Sequence, residues 1–204
     1  MRNKVTRAAA VAAGGAGLAA ALLALAGGAA TPALAGIEDT GGTASIAINH
    51  ATVTRLARAG IVVLPSAPGG ASAGGSREHI TLPVSGGDGN YVGTTGSVDL
   101  AGGLVFTDGA TSRSVTVTSL AFSYDAGTIG GVAGTRHIAL VQVGGALSGS
   151  SNAGPPATQT FTASELLITA SGARFLNGQL HTKYFKAGQQ VGTFATTYET
   201  QSAS

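Results

Sequence analysis

The chain has no cysteine, no tryptophan and one methionine, and only 10% of its 204 residues are charged. Without cysteine there is no disulfide framework and no thiolate chemistry. Four tyrosines and six phenylalanines are the whole aromatic supply, so a core has to be built mainly from Val, Ile, Leu and Ala. Long apolar runs are also lacking beyond the first thirty or so residues, and no later segment has the length of a membrane span.

The N-terminus has the three parts of an export signal. Arg2, Lys4 and Arg7 form a positive region, Ala16 to Ala26 is an uncharged Ala/Leu run, and Pro32 precedes the small-x-small sequence Ala33-Leu34-Ala35. This predicts a secretory signal peptide over residues 1–35, with an uncleaved anchor over Ala8 to Ala30 as the alternative. The expected mature chain, residues 36–204, is then secreted, extracellular or cell-wall associated, with no stable transmembrane segment. Three basic residues leave with the signal, so eight Lys/Arg face nine Asp/Glu, a formal charge of −1. The basic character of the precursor therefore gives no argument for nucleic acid. The one local hint of a basic patch with aromatics, Lys183-Tyr184-Phe185-Lys186, reads as an ordinary strand.

What the mature chain has in quantity is period-two alternation interrupted by glycine clusters, the pattern of an all-β sandwich or barrel. Ile80, Leu82 and Val84 share one face of a strand, and Pro83 within it calls for an edge or a bulge. Val115 and Val117 have one parity whereas Leu120, Phe122 and Tyr124 have the other, which requires a bend near Thr118-Ser119. Further strands are expected over Val98 to Phe106, Thr135 to Val143, Phe161 to Thr169 and Val191 to Glu199, with weak pairing over Ile129 to Val132. Two short helices interrupt them. One runs from His50 to Ala59 behind the N-cap Asn49, with Val53, Leu56 and Ala57 on its apolar stripe and Gly60 as its stop. The other covers Ala170 to Leu180. Such helices are marginal alone and need an apolar face to cover.

Low-complexity composition marks flexible loops at about 65–76 and 144–158, and a polar tail over Gly36 to Gly42. Neither loop is a domain boundary, since the segment before Pro65 is too short for its own core. The expectation is a single secreted domain over 36–204, mainly β, an antiparallel β-sandwich or open barrel with two short α-helices. A chain of 169 residues can bury about 70% of its unfolded surface.

The chemical inventory is thin. The G-x-S-x-G elbow is absent, because Gly145-Ala146-Leu147-Ser148-Gly149 lacks glycine where it is needed. No G-x-x-x-x-G-K-[ST] occurs, and Gly127 to Gly134 has no helix or lysine behind it. Asp88, Asp99, Asp108 and Asp125 each sit beside a glycine or near a turn, where aspartate is expected for backbone geometry rather than for paired-carboxylate hydrolysis. His50, His79, His137 and His181 lack metal-ligand spacing. Tyr91, Tyr124, Tyr184 and Tyr198 have side chains suited to an axial haem ligand or to filling a core with the hydroxyl at its rim. No catalytic residue and no metal ligand is assigned.

The stretch Ile80-Thr81-Leu82-Pro83-Val84-Ser85-Gly86-Gly87 followed by Gly96-Ser97-Val98-Asp99-Leu100-Ala101-Gly102-Gly103-Leu104 resembles the FPI-x-GG … G-x-I-x-HSGGL pattern of secreted actinobacterial proteins related to the HtaA-domain, haem-uptake family. The run Leu167 to Gly178, closing at Phe185-Lys186-Ala187-Gly188-Gln189-Gln190-Val191-Gly192, is similar to that group's L-T-x-x-x-A-x-x-L-N … F-x-x-G-x-x-x-G. The resemblance implies a secreted β architecture and raises haem as a candidate ligand. It departs where haem chemistry is carried: the histidine of HSGGL falls on Leu100, and the Trp-x-Ser-Phe-x-x-x-Tyr opening has no counterpart. Haem, if bound, would need another tyrosine or histidine. The reading is a non-catalytic exported protein that binds an envelope partner or small hydrophobic ligand, with surface assembly as the rival.

Within the resemblance lies VDLAGGLVF, residues 98 to 106, where two glycines interrupt an apolar run. Val98, Leu100, Leu104 and Phe106 keep one parity through the pair. The glycines are therefore expected within one strand, where missing side chains permit a bend or a close approach.

Overall fold

The computed structural model describes residues 37–74, 77–154 and 156–202. In chain order the elements are β1 (Ile37–Asn49), α1 (His50–Arg58), β2 (Ile61–Ser66), β3 (Gly70–Gly74), β4 (Arg77–Gly87), β5 (Ser97–Asp108), β6 (Arg113–Ser123), β7 (Thr128–Ala133), β8 (Arg136–Asn152), β9 (Ala157–Ile168), α2 (Ala170–Leu180) and β10 (Gln190–Ser202). Every strand pairing is antiparallel. Strands β5 to β10 follow one another, β10 pairs β1, β1 pairs β4, and β4 returns to β5. The result is a closed eight-stranded barrel, which corrects the expectation of a sandwich or open barrel. Alternation assigns each side chain to a face; it does not say whether the last strand reaches the first.

The closing seam is short. β4 meets β5 only at Val84–Leu100, Gly86–Asp99 and Gly87–Val98. Beyond it the two strands part, β3 pairing β4 from Arg77 to Thr81 and β2 pairing β5 from Gly103 to Asp108. Pro83 pairs Thr43 on β1 and lies between the β3 and β5 pairings on its other side, so its missing N–H falls where no ladder bond is asked of it. Gly102 stands where β5 exchanges β4 for β2. Its φ is +92°, and a Cβ there would lie 2.6 Å from the Ser66 carbonyl oxygen. One extra β5 residue enters the ladder to β6 between Leu100 and Gly103. The two glycines thus form a bulged corner in a strand whose inward parity holds from Val98 to Phe106. The face change expected in β6 is present as well, with Ser119 at φ +48° and a register shift around it.

Five further expectations need correction. The polar tail 36–42 belongs largely to β1, where Asp39 faces inward and is 5% exposed. The loop at 144–158 is mostly the paired arms of β8 and β9, and that at 65–76 contains the end of β2 and all of β3. Backbone pairing with neighbours holds such segments in place of their own apolar content. β7, expected to pair weakly, registers with β8 from Thr128 to Ala133 and with β6 at Thr128, Ile129, Gly130 and Val132. Lys183 to Lys186 is no strand but part of the connection from α2 to β10. The signal peptide expected over residues 1–35 lies outside the described residues. No helix among the described residues is long and apolar enough to cross a membrane.

The interior divides into two halves. At one end Phe122 stacks on Phe161 with centroids 5.1 Å apart, and Phe194, Tyr124 and Tyr91 complete an aromatic plug. Toward the other end the lining is aliphatic, and the two helices cover it. Asn49 caps α1 by accepting from the Thr52 N–H at 2.7 Å, as expected, but Thr52 and Leu56 are its buried residues, while Ala57 is exposed. Thr169 caps α2 by accepting from Gly172 N–H at 2.8 Å and donates to Ala139 C=O at 2.6 Å. A Cβ on Gly172 would collide with the Leu140 carbonyl, so this glycine sets how closely α2 can lie on β8.

Candidate ligand-binding site

Beneath the helices lies a cavity of about 70 Å³. Ile46, Ile80, Leu104, Ile129, Leu166 and Leu176 are among the residues that line it, and Thr52 and Tyr184 bring its only side-chain hydroxyls. The Thr52 hydroxyl is already engaged, donating to Gln190 C=O at 3.3 Å and accepting from the Arg55 guanidinium at 3.2 Å. Arg55 also donates through Nε to Ala51 C=O at 3.2 Å.

The connection from His181 to Gln189 forms a strap across this mouth. Its anchor is Asn177 of α2, whose side chain accepts from Phe185 N–H at 3.0 Å and donates to Phe185 C=O at 2.7 Å. That bracket seats the Phe185 ring in the cavity wall, edge-on to Phe106 at 6.3 Å. Tyr184 packs edge-on to Phe185 at 5.0 Å. Its hydroxyl is buried and has no hydrogen-bond partner. Burial pushes the Tyr184 phenol pKa up, and Arg55 and Gln189 act in the opposite direction. An orphaned buried hydroxyl costs about 1–3 kcal/mol, and this one presents no surface to the cavity.

Outside the strap is a shallow depression lined by Arg55, Lys183, Tyr184, Lys186, Gly188 and Gln189, with Ala187. Three cations and no carboxylate line it, and Tyr184 belongs to both the depression and the cavity. The bias extends over the whole helix-covered end. Arg58 lies on α1, Arg174 on α2, and Arg77, Arg113 and Arg136 begin β4, β6 and β8 at that end. All eight Lys/Arg of the described residues are therefore in this half, with Glu78, Asp108 and Glu165. The opposite half holds Glu38, Asp39, Asp88, Asp99, Asp125 and Glu199 and no Lys or Arg.

At that acidic end a polar network closes the barrel beyond the aromatic plug. The Tyr124 and Tyr198 hydroxyls are 2.9 Å apart, Tyr198 donates to Gln159 Oε1 at 3.2 Å, and the same oxygen accepts from Tyr91 N–H at 2.7 Å. Desolvation, with the Tyr198 hydroxyl next in weight, pushes the Tyr124 pKa far up, and desolvation pushes that of Tyr198 up to about 12. Asp39 accepts from Gly89 N–H at 3.2 Å, while its other oxygen has no partner. Burial raises the Asp39 pKa to about 7 against that hydrogen bond, with Asp88 and Asp99 adding to the rise.

The aspartates singled out from the sequence mainly serve backbone N–H groups, Asp108 within its own turn and Asp88 and Asp125 across to the Gly96-Ser97 segment. Asp88 accepts from Ser97 N–H at 2.9 Å, Asp108 from Ala110 N–H at 2.8 Å and Asp125 from Gly96 N–H at 3.0 Å, while Asp99 is exposed on β5. No group of three His, Cys, Asp or Glu residues that would hold a metal occurs among the described residues. The four tyrosines separate, Tyr184 at the basic mouth and the other three at the acidic end. Tyr198 is 0% exposed, deep in the interior rather than at a rim. Sequence reasoning missed Asp39, hidden in what reads as a tail, and the role of Asn177. The Lys-Tyr-Phe-Lys alternation was the visible signal for the strap.

Haem needs an apolar slot, an axial ligand and partners for its propionates. Tyr184 and the neighbouring cations supply the donor types. The space does not match: about 70 Å³ is well below the roughly 300–1,000 Å³ of pockets for drug-sized ligands. A macrocycle would enter only with the Tyr184–Phe185 strap displaced.

No protein-family model matches the chain, and no curated protein matches it. Among solved structures the fold is similar to the C-terminal domain of HtaA from Corynebacterium glutamicum, with a TM-score of 0.55 and 11% sequence identity over 81% of this chain and 99% of that one. A second match is the heme binding protein HtaB from the same organism, with a TM-score of 0.48 and 14% identity over 80% of this chain and 95% of that one. The HtaA likeness is one of fold, and it agrees with the weak resemblance carried by the glycine motifs.

Proposed function

We propose that the chain is a non-catalytic binding protein that takes a small hydrophobic ligand into the helix-covered mouth of the barrel, acting outside the cytoplasm at the envelope or in the extracellular space. One observation carries the binding reading: an apolar cavity beneath the helices whose lining residue Tyr184 also lines the depression with Arg55, Lys183 and Lys186. The export part rests on Arg2, Lys4 and Arg7, the Ala/Leu run and the Ala33-Leu34-Ala35 ending. A non-catalytic role is supported by the engagement of the Asp88, Asp108 and Asp125 carboxylates with backbone N–H groups. The resemblance keeps haem among the ligands to try, on the condition that the strap opens.

The test is a titration of the purified protein with the neutral dye N-phenyl-1-naphthylamine, followed by fluorescence, and separately with haemin, followed by the Soret band. Saturable dye binding, with the strap displaced to admit the rings, is expected, weakened at least tenfold by Val191→Phe, which fills the cavity mouth while thermal stability stays near that of the parent. Absence of saturable binding by both probes would overturn the proposal. A second reading, assembly through a surface, has one observation in its favour. β2 ends the strand order and exposes Val62 and Leu64 by 50% and 47%. Concentration-dependent association in sedimentation, abolished by Val62→Lys, would favour that reading.

A further inference from the structure

We infer that the ligand of the basic mouth is a single-chain anionic amphiphile, an alkyl carboxylate or its alkyl phosphate or sulfate counterpart, with its chain in the cavity and its head over Arg55, Lys183 and Lys186. The inference rests on the ligand-binding reading above and assigns that ligand its chemical class.

The cavity sets the chain. Apart from Thr52 and Tyr184, every residue that lines it is apolar, and the Thr52 hydroxyl is committed within the protein. A space of about 70 Å³ exceeds the roughly 10–15 Å³ that one water requires, but an apolar lining gives water no partners. The end of an unbranched chain matches both the size and the chemistry, and the rest of a longer chain follows as the Tyr184–Phe185 strap yields, a smaller displacement than a macrocycle needs.

The rim sets the head. Arg55, Lys183 and Lys186 are exposed around a depression whose lining contains no carboxylate. They sit at the end of the barrel that holds every Lys and Arg of the described residues, so the field over the mouth favours an anion. Tyr184 lines cavity and depression alike, so its ring stands where chain and head would join. A polyanion without an apolar part would answer the cations and leave the cavity unused. A neutral lipid chain would fill the cavity and leave three cations without a counter-charge.

The experiment displaces N-phenyl-1-naphthylamine from the protein with decanoate, decanol and decyltrimethylammonium at low ionic strength. It then repeats the displacement with hexanoate and octanoate. Decanoate is expected to bind at least tenfold more tightly than decanol, and decyltrimethylammonium more weakly than either. Affinity should rise about fourfold for each methylene, as burial of a CH₂ group predicts, until the cavity is full. Lys183→Gln with Lys186→Gln should remove most of decanoate's advantage while leaving decanol unchanged. Equal affinity for all three heads would overturn the inference and leave the hydrophobic-ligand reading intact. Absence of binding by the dye, by haemin and by decanoate in direct calorimetric titration would instead sink that reading itself. Phosphatidylglycerol vesicles that bind the protein without competing with the dye would also overturn it, since the cations would then be reading a membrane surface.

Discussion

Asp39 is a carboxyl group taken out of water with one oxygen hydrogen-bonded and the other without a partner. Its pKa of about 7 when folded lies above the ordinary value of 3.8. Below about pH 4 both the folded and the unfolded chain hold the proton, and this group does not make stability depend on pH. As pH rises from there the unfolded chain releases the proton first, so stability falls until the folded carboxyl also ionises near pH 7. A shift of this size corresponds to a loss of up to about 4 kcal/mol. Asp39→Asn keeps an acceptor for Gly89 N–H and cannot titrate. Urea unfolding of the parent between pH 4.5 and 8 should show the decline, and the variant should be flatter; an unchanged slope in the variant would mean that another group titrates. The residue was invisible as a site in the sequence because it sits in a polar-looking stretch. Its inward position comes from the β1 bulge between Asp39 and Gly41.

The elements were legible to differing depth. α2 follows its expected limits of Ala170 and Leu180, and α1 begins behind Asn49 as expected, because caps and stops act over one helical turn. The bend in β6 was also legible, since two parities in one run cannot lie on one face without a break. β5 is a different case: the Gly102-Gly103 pair announced a bend, but the reason is the exchange of β4 for β2 along one strand edge. Gly102→Val should cost about 3 kcal/mol or more through a positive φ and the collision with Ser66 C=O. Calorimetry should show the midpoint lowered by roughly 6–12 °C for a chain of this size. An unchanged midpoint would contradict a crowded corner. The strap stayed hidden because the Lys-Tyr-Phe-Lys alternation mimics a strand, while the backbone of Phe185 is held by Asn177 of α2 rather than by a neighbouring strand.

For the whole molecule, closure rests on the β4–β5 seam, where only the Val84–Leu100, Gly86–Asp99 and Gly87–Val98 positions register. β1 and β10, in contrast, pair from Ile37–Ser202 to Ile48–Gly192. Amide exchange should therefore be faster at Gly86 and Gly87 than in the centre of β1 or β10, because short, glycine-flanked pairing opens at lower free energy. Equal protection across the seam and the β1–β10 ladder would show that the barrel opens only as a unit. The sequence by itself determined the antiparallel β class, the Asn49 cap of α1, the glycine bend and the cysteine-free interior, because these follow from interactions within a few residues or from composition. Tertiary structure alone decided that the sheet closes, that an aromatic plug leaves an apolar cavity at one end, and that Arg55 meets Lys183 and Lys186 there. Each of these joins residues far apart in the chain, and their distances are set by strand register and barrel closure rather than by local pattern.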